Sequence, residues 1–282
     1  MEARCLNMQK TRYSVAALDM DGTLLNSDHD TTPYTREVIR RAGGAGKVVA
    51  LATGRCLSEL EDHVRELRAV RYLICENGAC VYDAQARRSI SRLSIEQEKV
   101  EHIIEMSARY DAVVQFFMED QSYLACDRCM DLTPYHIEEY RKVFEGGSIF
   151  DGQLFAHYRA QRRVVDKINF YFSTMEGRAA MRAELDGYGL AMVNSIGIGL
   201  ELSPLDASKG RGLERLCAHL NVPLEESMAV GDGGNDLEIM RTAGLAVAMG
   251  NAIPEVVALA DAVTDDCDHD GAAKAIERFM LV

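Results

Sequence analysis

The chain has 282 residues, of which 48% are hydrophobic and 27% are charged. This ordinary globular mix excludes fibrous and disordered proteins, and the length suits one large domain or two smaller ones. The 31 lysines and arginines against 44 aspartates and glutamates give a net charge of −13. Because nucleic-acid binding requires a cationic surface, we expect a small-molecule partner and no nucleic acid.

Targeting signals and cysteine usage indicate the compartment. No stretch approaches the roughly 18 consecutive apolar residues of a membrane span, so no membrane association is expected. The N-terminal segment has no apolar run of the secretory type. The cysteines are too sparse for a disulfide scaffold, and several lie inside apolar runs (Cys75, Cys80 and Cys217). Cys126 and Cys129 form a CxxC pair, but no second pair at zinc-binding spacing follows, so reduced thiols in a cytoplasmic protein are the favoured interpretation.

The beginning and the end of the chain share one pattern, in which short apolar runs alternate with helical periodicity. In the first part, strands are predicted at 15–20, 47–52, 72–75 and 79–82, with helices at 35–42 and 57–67. From residue 203 onward, helices are predicted at 209–219, 236–241, 253–259 and 271–279, with strands at 228–230 and 245–249. Alternating strands and helices predict a parallel sheet covered by helices on both faces.

The middle of the chain has a different pattern. Strands are predicted at 112–117, 123–126, 167–172, 190–194 and 199–202, with helices at 95–110, 135–143 and 175–188. Strands joined by short turns favour an antiparallel sheet. We therefore predict an α/β protein with a Rossmann-like doubly wound core formed by residues 1–83 and 204–282. An α+β domain of residues 84–203 is inserted into this core.

Polar clusters follow the predicted parallel strands, at the edge where ligands bind in such sheets. They are Asp19 with Asp21, Thr53 to Arg55, Glu76 to Gly78, and Asp232 to Asp236; Lys209 opens a helix. Taken singly, each would more often belong to a turn or a solvated helix start. Clustered carboxylates require a cation, and their hard oxygens select Mg²⁺. Acids that hold a metal beside a lysine fit a phosphate-bearing substrate.

The same segments resemble a known family. ALDMDGTLL, LATGR, the lysine of ASKG and AVGDGGND are similar, in order and spacing, to the four motifs of haloacid dehalogenase (HAD) superfamily phosphatases. The ENGA turn and the insertion after it resemble the C2-type cap of the Cof-type subfamily, IIB. The resemblance covers essentially the whole chain. It implies an HAD-like catalytic core and a cap domain that determines substrate specificity.

The resemblance also implies roles for individual residues. Asp19 would be the nucleophile that forms an aspartyl-phosphate, and Asp21 the general acid and base. Thr53 and the Gly54 amide would bind a phosphoryl oxygen, and Lys209 would neutralise developing charge.

The implied metal site holds Mg²⁺ between the Asp19 carboxylate, the Asp21 backbone carbonyl and Asp232. Asn235 and Asp236 would complete or support this coordination shell.

Other residues at these motifs shape the loops or fit more than one function. Gly22 permits the sharp exit from the first strand, and Thr23 can brace the loop. Arg55 fits a salt bridge and a substrate contact equally well, and Asn77 fits a turn and a phosphate contact equally well. Cys267 stands where the family commonly has asparagine, which leaves the function of that position open.

The inserted domain has two unusual features. The aromatic residues at 116–117 and 170–172 are interpreted as sheet core in preference to a substrate-stacking surface. The basic residues Arg159, Arg162, Arg163 and Lys167 are interpreted as ordinary surface charge in preference to anion contacts.

Together these features predict a Mg²⁺-dependent phosphomonoester hydrolase acting on a small phosphorylated metabolite, for which a sugar phosphate is one candidate. The alternatives are a phosphomutase with a similar cap and a non-enzymatic ligand-binding protein of the same fold. Monomer and homodimer are both compatible with the sequence.

Overall fold

The structure is a computed structural model in which residues 12–281 are described. Most of the N-terminal segment to which the expectation about a secretory signal applies lies outside this range. Within the range, no helix combines the length and the apolar character needed to cross a bilayer.

Strands and helices are numbered in chain order. The strands are β1 (Val15–Leu18), β2 (Val48–Ala52), β3 (Tyr72–Cys75), β4 (Cys80–Asp83), β5 (Arg88–Arg92), β6 (Ala112–Met118), β7 (Gln121–Leu124), β8 (Ser148–Phe150), β9 (Lys167–Phe172), β10 (Leu190–Ser195), β11 (Gly199–Pro204), β12 (Ser227–Gly231), β13 (Leu245–Ala248) and β14 (Ala262–Val263). The helices are α1 (Pro33–Gly44), α2 (Glu61–Glu66), α3 (Gln97–Ser107), α4 (Arg141–Gly147), α5 (Leu154–Gln161), α6 (Met175–Glu184), α7 (Lys209–Leu220), α8 (Leu237–Thr242), α9 (Pro254–Val257) and α10 (Gly271–Ile276).

The larger sheet has the strand order β14-β13-β12-β1-β2-β3-β4-β5. Its strands are parallel from β14 to β3, and the β4–β5 hairpin adds two antiparallel strands at one edge. Alternate residues of β1 face opposite layers: Leu18 packs with Ile39 of α1, and Ala17 packs with Leu213 of α7. Helices therefore cover both faces, which confirms the predicted α/β class with a doubly wound, mainly parallel sheet.

The smaller sheet has the strand order β10-β11-β9-β6-β7-β8 and is antiparallel except for the β7–β8 pair. Phe116, Phe170 and Phe172 lie on one face of it and pack with residues of α3, α5 and α6. This face is the core of the inserted α+β region, as the aromatic pattern predicts for these three residues.

Several boundaries differ from the sequence-based expectation. Strand β5 pairs with β4, so the larger sheet continues to Arg92 and the predicted division after residue 83 falls inside its edge hairpin. The predicted helix at 135–143 is instead two 3₁₀ turns followed by α4, because His136 adopts a left-handed conformation (φ 57°) that interrupts an α-helix. Helix α5 and strand β8 have no counterpart in the prediction.

Candidate active site

The first two acidic clusters meet because β1 and β12 are neighbouring parallel strands that end at the same edge. The Asp19 amide continues the pairing by donating to the Val230 carbonyl at 3.0 Å. Gly22 has φ +79°, and a Cβ there would lie 2.6 Å from Asp232 Oδ2, so this turn requires glycine. Thr23 Oγ1 donates to Asp232 Oδ1 at 2.7 Å. The turn after β1 therefore holds the Asp232 carboxylate beside Asp19.

Lys209 is the buried cation of the site. Its Nζ contacts Asp19 Oδ1 at 2.5 Å and Asp236 Oδ1 at 2.7 Å, and the side chain is fully enclosed. Ser208 caps helix α7 by accepting from the Arg211 amide, which fixes the backbone just before Lys209. Burial opposes the charge on Lys209, but Asp19 and Asp236 outweigh burial and raise its pKa. The lysine is therefore permanently charged at physiological pH.

Asp236 has a supporting function. While one of its oxygens accepts from Lys209, the other accepts from the amides of Asp232 and Gly233, each at 3.0 Å. Both oxygens are thus engaged, and the carboxylate holds the loop after β12 against α7. Asn235 lies in the same loop and faces the cavity described below.

The acids of the site can accept a hard cation. Ligand oxygens of Asp19, Asp232 and Asp236 lie within 4.8 Å of one another. The Asp236 oxygens are already occupied, but one oxygen of Asp19 and one of Asp232 meet no hydrogen-bond donor in residues 12–281. Burial, reinforced by nearby carboxylates, raises the pKa of Asp19 well above its usual range and also raises that of Asp232. A divalent cation between these oxygens would relieve this repulsion.

The second cluster follows β2. Thr53 is buried, and its backbone amide donates to the Ile74 carbonyl of β3 at 2.8 Å. Arg55 forms a forked salt bridge, with Nε and Nη2 at 3.1 and 2.5 Å from the two oxygens of Asp21. The salt bridge expected of Arg55 is therefore present, and its side chain also lines the cavity.

The third cluster is a turn that braces the site from behind. Asn77 has φ 53°, and its Nδ2 donates to Glu201 Oε2 of β11 at 2.5 Å. It links the two sheets from a turn and lies behind the cavity lining, and a phosphate contact of Asn77 stays a prediction. Gly78 has φ +89°, and a Cβ there would lie 2.0 Å from the Ser208 carbonyl oxygen. The turn thus packs directly against the start of α7.

Glu76, in the same turn, is a buried acid outside the catalytic cluster. Its side chain is 1% exposed, and neither carboxylate oxygen has a hydrogen-bond partner in the described part of the chain. Burial, reinforced by Asp166 and opposed by Arg92, raises its pKa to about 8. Glu76 is therefore mostly protonated at neutral pH.

A cavity of about 270 Å³ lies between the two sheets. From the larger sheet it is lined by the predicted site residues Asp19, Asp21, Thr53, Gly54, Arg55, Asp232 and Asn235. From the smaller sheet it is lined mainly by alternate residues of β6 and β9. Gly22, Thr23, Asn77, Lys209 and Asp236 stand behind these residues and hold them in place.

Sequence reasoning missed Asn251. Its Nδ2 donates to the Gly22 carbonyl at 2.8 Å, and its Oδ1 accepts from the Cys267 amide at 3.0 Å. Asn251 thus ties the turn after β1 to the C-terminal loop through the backbone of Cys267. Its position just beyond the end of β13 was the signal that could have identified it.

The four basic residues singled out in the inserted region, Arg159, Arg162, Arg163 and Lys167, do not form one cluster in the structure. Lys167 alone of the four points into the cavity. Arg159 pairs with Glu101 at 2.9 Å, and Arg163 donates to the Tyr123 hydroxyl at 2.5 Å. The surface-charge interpretation is therefore wrong for Lys167.

A family model described as haloacid dehalogenase-like hydrolase matches residues 16–276. Phosphatase YwpJ of Bacillus subtilis is 28% identical over 94% of this chain and 99% of its own length. A solved haloacid dehalogenase-like hydrolase from B. subtilis superposes with a TM-score of 0.82 at 27% identity, covering 94% of this chain and 99% of that one. The subclass IIB sugar phosphatase BT4131 has the same fold, with a TM-score of 0.78 at 24% identity over 95% of this chain and all of its own.

Proposed function

Because the chain belongs to the haloacid dehalogenase-like hydrolase family and is a phosphatase, we propose a specific reaction for it. The protein would hydrolyse a small phosphomonoester with the help of Mg²⁺. The observation that carries the proposal is the buried cluster in which Lys209 contacts Asp19 beside Asp232, at the floor of the cavity between the two sheets.

Asp19 would act as the nucleophile. Its Oδ1, which contacts Lys209, would attack phosphorus, and its other oxygen would remain available to a metal ion. The new oxygen–phosphorus bond forms an aspartyl-phosphate as the bond to the leaving alcohol breaks. Lys209 and the Thr53 hydroxyl would stabilise the charge that develops on the phosphoryl oxygens.

Asp21 would protonate the leaving alcohol and then accept a proton from the water that attacks the aspartyl-phosphate. That second attack releases inorganic phosphate and restores the Asp19 carboxylate. The Asp21 side chain lines the cavity and is 44% exposed, and its two oxygens accept from the guanidinium of Arg55. Because both Asp21 oxygens accept from Arg55, this fork would have to open when substrate binds so that Asp21 can carry the proton it donates.

A Mg²⁺ ion would be held by the free oxygens of Asp19 and Asp232, with the Asp21 backbone carbonyl as a further ligand. When bound, it would cancel the repulsion between the anionic nucleophile and the anionic phosphate. Asp236 and Thr23 would keep Asp232 in position for this function.

The division of labour between the sheets is part of the proposal. Residues 1–83 and 204–282, extended by β5, would form the catalytic core, and the inserted region would be a C2-type cap that excludes water and selects the leaving group. A sugar phosphate is one candidate substrate. The expected cytoplasmic location stays a prediction.

The test is release of inorganic phosphate from sugar phosphates, nucleotides and p-nitrophenyl phosphate, with Mg²⁺ and with a chelator. We expect release that requires the metal and is abolished in Asp19→Asn. Asp268→Asn is the matched control, because Asp268 is exposed and caps only the Ser27 amide. Full activity of Asp19→Asn would contradict the proposal. Isomerisation that needs a bisphosphate activator, without phosphate release, would identify a mutase.

A further inference from the structure

One face of the smaller sheet forms the roof of the cavity. On the neighbouring strands β6 and β9, Gln115 pairs with Asn169 and Phe117 pairs with Lys167. Because side chains alternate along a strand, these residues share a face with Tyr171, opposite the face packed with Phe116 and Phe170. All five cavity-facing residues are at most 4% exposed. The roof is therefore a built, mostly polar surface.

The hydrogen bonds across this roof run in a defined direction. Gln115 Nε2 donates to Glu59 Oε1 of the core at 2.9 Å. Since a carboxylate accepts hydrogen bonds, this contact fixes the Gln115 amide with its Oε1 turned away from Glu59. Gln115 Oε1 then accepts from the Tyr171 hydroxyl at 2.6 Å and from Asn169 Nδ2 at 3.2 Å. Burial raises the pKa of Tyr171 well above its usual range, so the hydroxyl keeps its proton.

This arrangement leaves one acceptor unused. Asn169 Nδ2 also donates to Tyr171 Oη at 3.1 Å, which commits the nitrogen side of the amide to the network. Asn169 Oδ1 is buried and has no hydrogen-bond partner among residues 12–281. A buried unpaired acceptor is unfavourable, and Asn169 lines the cavity, so a bound molecule is the natural source of the missing donor.

The cations of the lining are already paired. Lys167 Nζ contacts Glu201 Oε2 and the Gly54 carbonyl oxygen, each at 2.8 Å, and lies over the ring of Phe117. Arg55 pairs with Asp21. Among the described residues that line the cavity, no other lysine or arginine is present. The roof therefore offers no free positive charge to a second anionic group.

We propose that Asn169 Oδ1 accepts a hydrogen bond from a hydroxyl or amine of the leaving group, and that the enzyme thereby selects phosphomonoesters whose leaving group is a small, uncharged or cationic hydrogen-bond donor. Glu59, Gln115 and Tyr171 are positioning residues that hold the Asn169 amide in this orientation. The inference rests on the proposed phosphatase function, because it concerns the leaving group of that reaction.

The experiment compares kcat/KM for substrate pairs that differ in one donor: glucose 6-phosphate against each of its monodeoxy analogues, and hydroxybutyl phosphate against butyl phosphate. For at least one pair we expect the wild-type enzyme to prefer the hydroxylated member about tenfold, which corresponds to about 1.4 kcal/mol. In Asn169→Ala this preference should fall to about twofold or less, mainly through a higher KM for the hydroxylated member. Fructose 1,6-bisphosphate should be turned over less efficiently than fructose 6-phosphate.

Tyr171→Phe provides a second variant with a smaller packing change. It should also lower the preference, because the Asn169 amide then loses its hydrogen bond to the Tyr171 hydroxyl and keeps only the one to Gln115. Gln161→Ala is the control: Gln161 is an exposed amide side chain at the end of α5 in the same domain, it does not line the cavity, and the preference should be retained. Wild-type release of phosphate from p-nitrophenyl phosphate tests the phosphatase function separately. Turnover of that ester with no preference in any pair, or an unchanged preference in Asn169→Ala, would overturn the inference.

Discussion

The close approach of Gly78 to helix α7 gives the sharpest prediction for stability and activity together. In Gly78→Ala the new Cβ would lie 2.0 Å from the Ser208 carbonyl oxygen, which already accepts from the Gly212 amide at 2.9 Å. Relief requires a shift of more than 1 Å, since ordinary contacts of this kind exceed about 3 Å. Such overpacking costs about 1–3 kcal/mol, and alanine at φ +89° adds about 1–2 kcal/mol.

Gly46→Ala separates these two contributions. Gly46 has a similar φ of +76°, but nothing lies within 4 Å of its added Cβ, so only the backbone cost of about 1–2 kcal/mol applies. The free energies of unfolding are measured by urea denaturation at fixed Mg²⁺ concentration. Phosphate release per folded molecule should fall about 100-fold in Gly78→Ala, because the shift displaces Lys209, and should stay normal in Gly46→Ala. Equal stability losses in the two variants would refute the packing argument.

Three further predictions concern buried charges. Asp19→Asn should abolish turnover while leaving the metal-free protein at least as stable as the wild type, because it removes a desolvated carboxylate; a large loss of stability on thermal unfolding would contradict this. Lys209→Met should lower kcat about 100- to 1000-fold, because the developing negative charge loses its cation. In the presence of a chelator it should also lower the free energy of unfolding by about 3 kcal/mol, since Asp19 and Asp236 lose their counter-charge. A decrease in kcat of less than tenfold would argue against a charge function. In the folded protein the pKa of Glu76 is raised to about 8, because burial disfavours its charged form. The folded state is therefore most stable below the pKa of Glu76 in the unfolded chain, and it loses stability as the pH rises through about 8. Glu76→Gln should therefore gain about 4 kcal/mol relative to the wild type between about pH 5 and pH 9, and a pH-independent difference would exclude the shift.

The core and its motifs were predictable because the physical rules there are local. Apolar runs followed by Asp19, Thr53 or Asp232 mark strand ends, and parallel strands bring their carboxyl ends to one edge. Asn251 was missed although it obeys the same rule, because a lone asparagine after glycine also suits an ordinary turn.

The inserted region was less predictable, since both faces of its sheet are covered. In a sheet buried on both faces, the alternation of apolar and polar residues that assigns a face is absent. The run at 170–172 was interpreted as core, which describes Phe170 and Phe172 but not Tyr171, whose hydroxyl joins the polar roof. The helical pattern at 135–143 was broken by the left-handed His136, a conformation that sequence periodicity does not encode.

The direction of the hydrogen bonds in the roof has a consequence for engineering. The network begins at Glu59, which follows motif LATGR at the edge of the larger sheet, and ends at Asn169 in the smaller sheet. A chimera that grafts the inserted region onto a relative's core would carry Gln115, Tyr171 and Asn169 but leave Glu59 behind. If the new core offers a donor in place of that carboxylate, both amides reverse and the roof presents N–H groups to the ligand. With the proposed function of Asn169, substrate preference would depend on the junction between the core and the inserted region, and exchange of the inserted region alone would not transfer it.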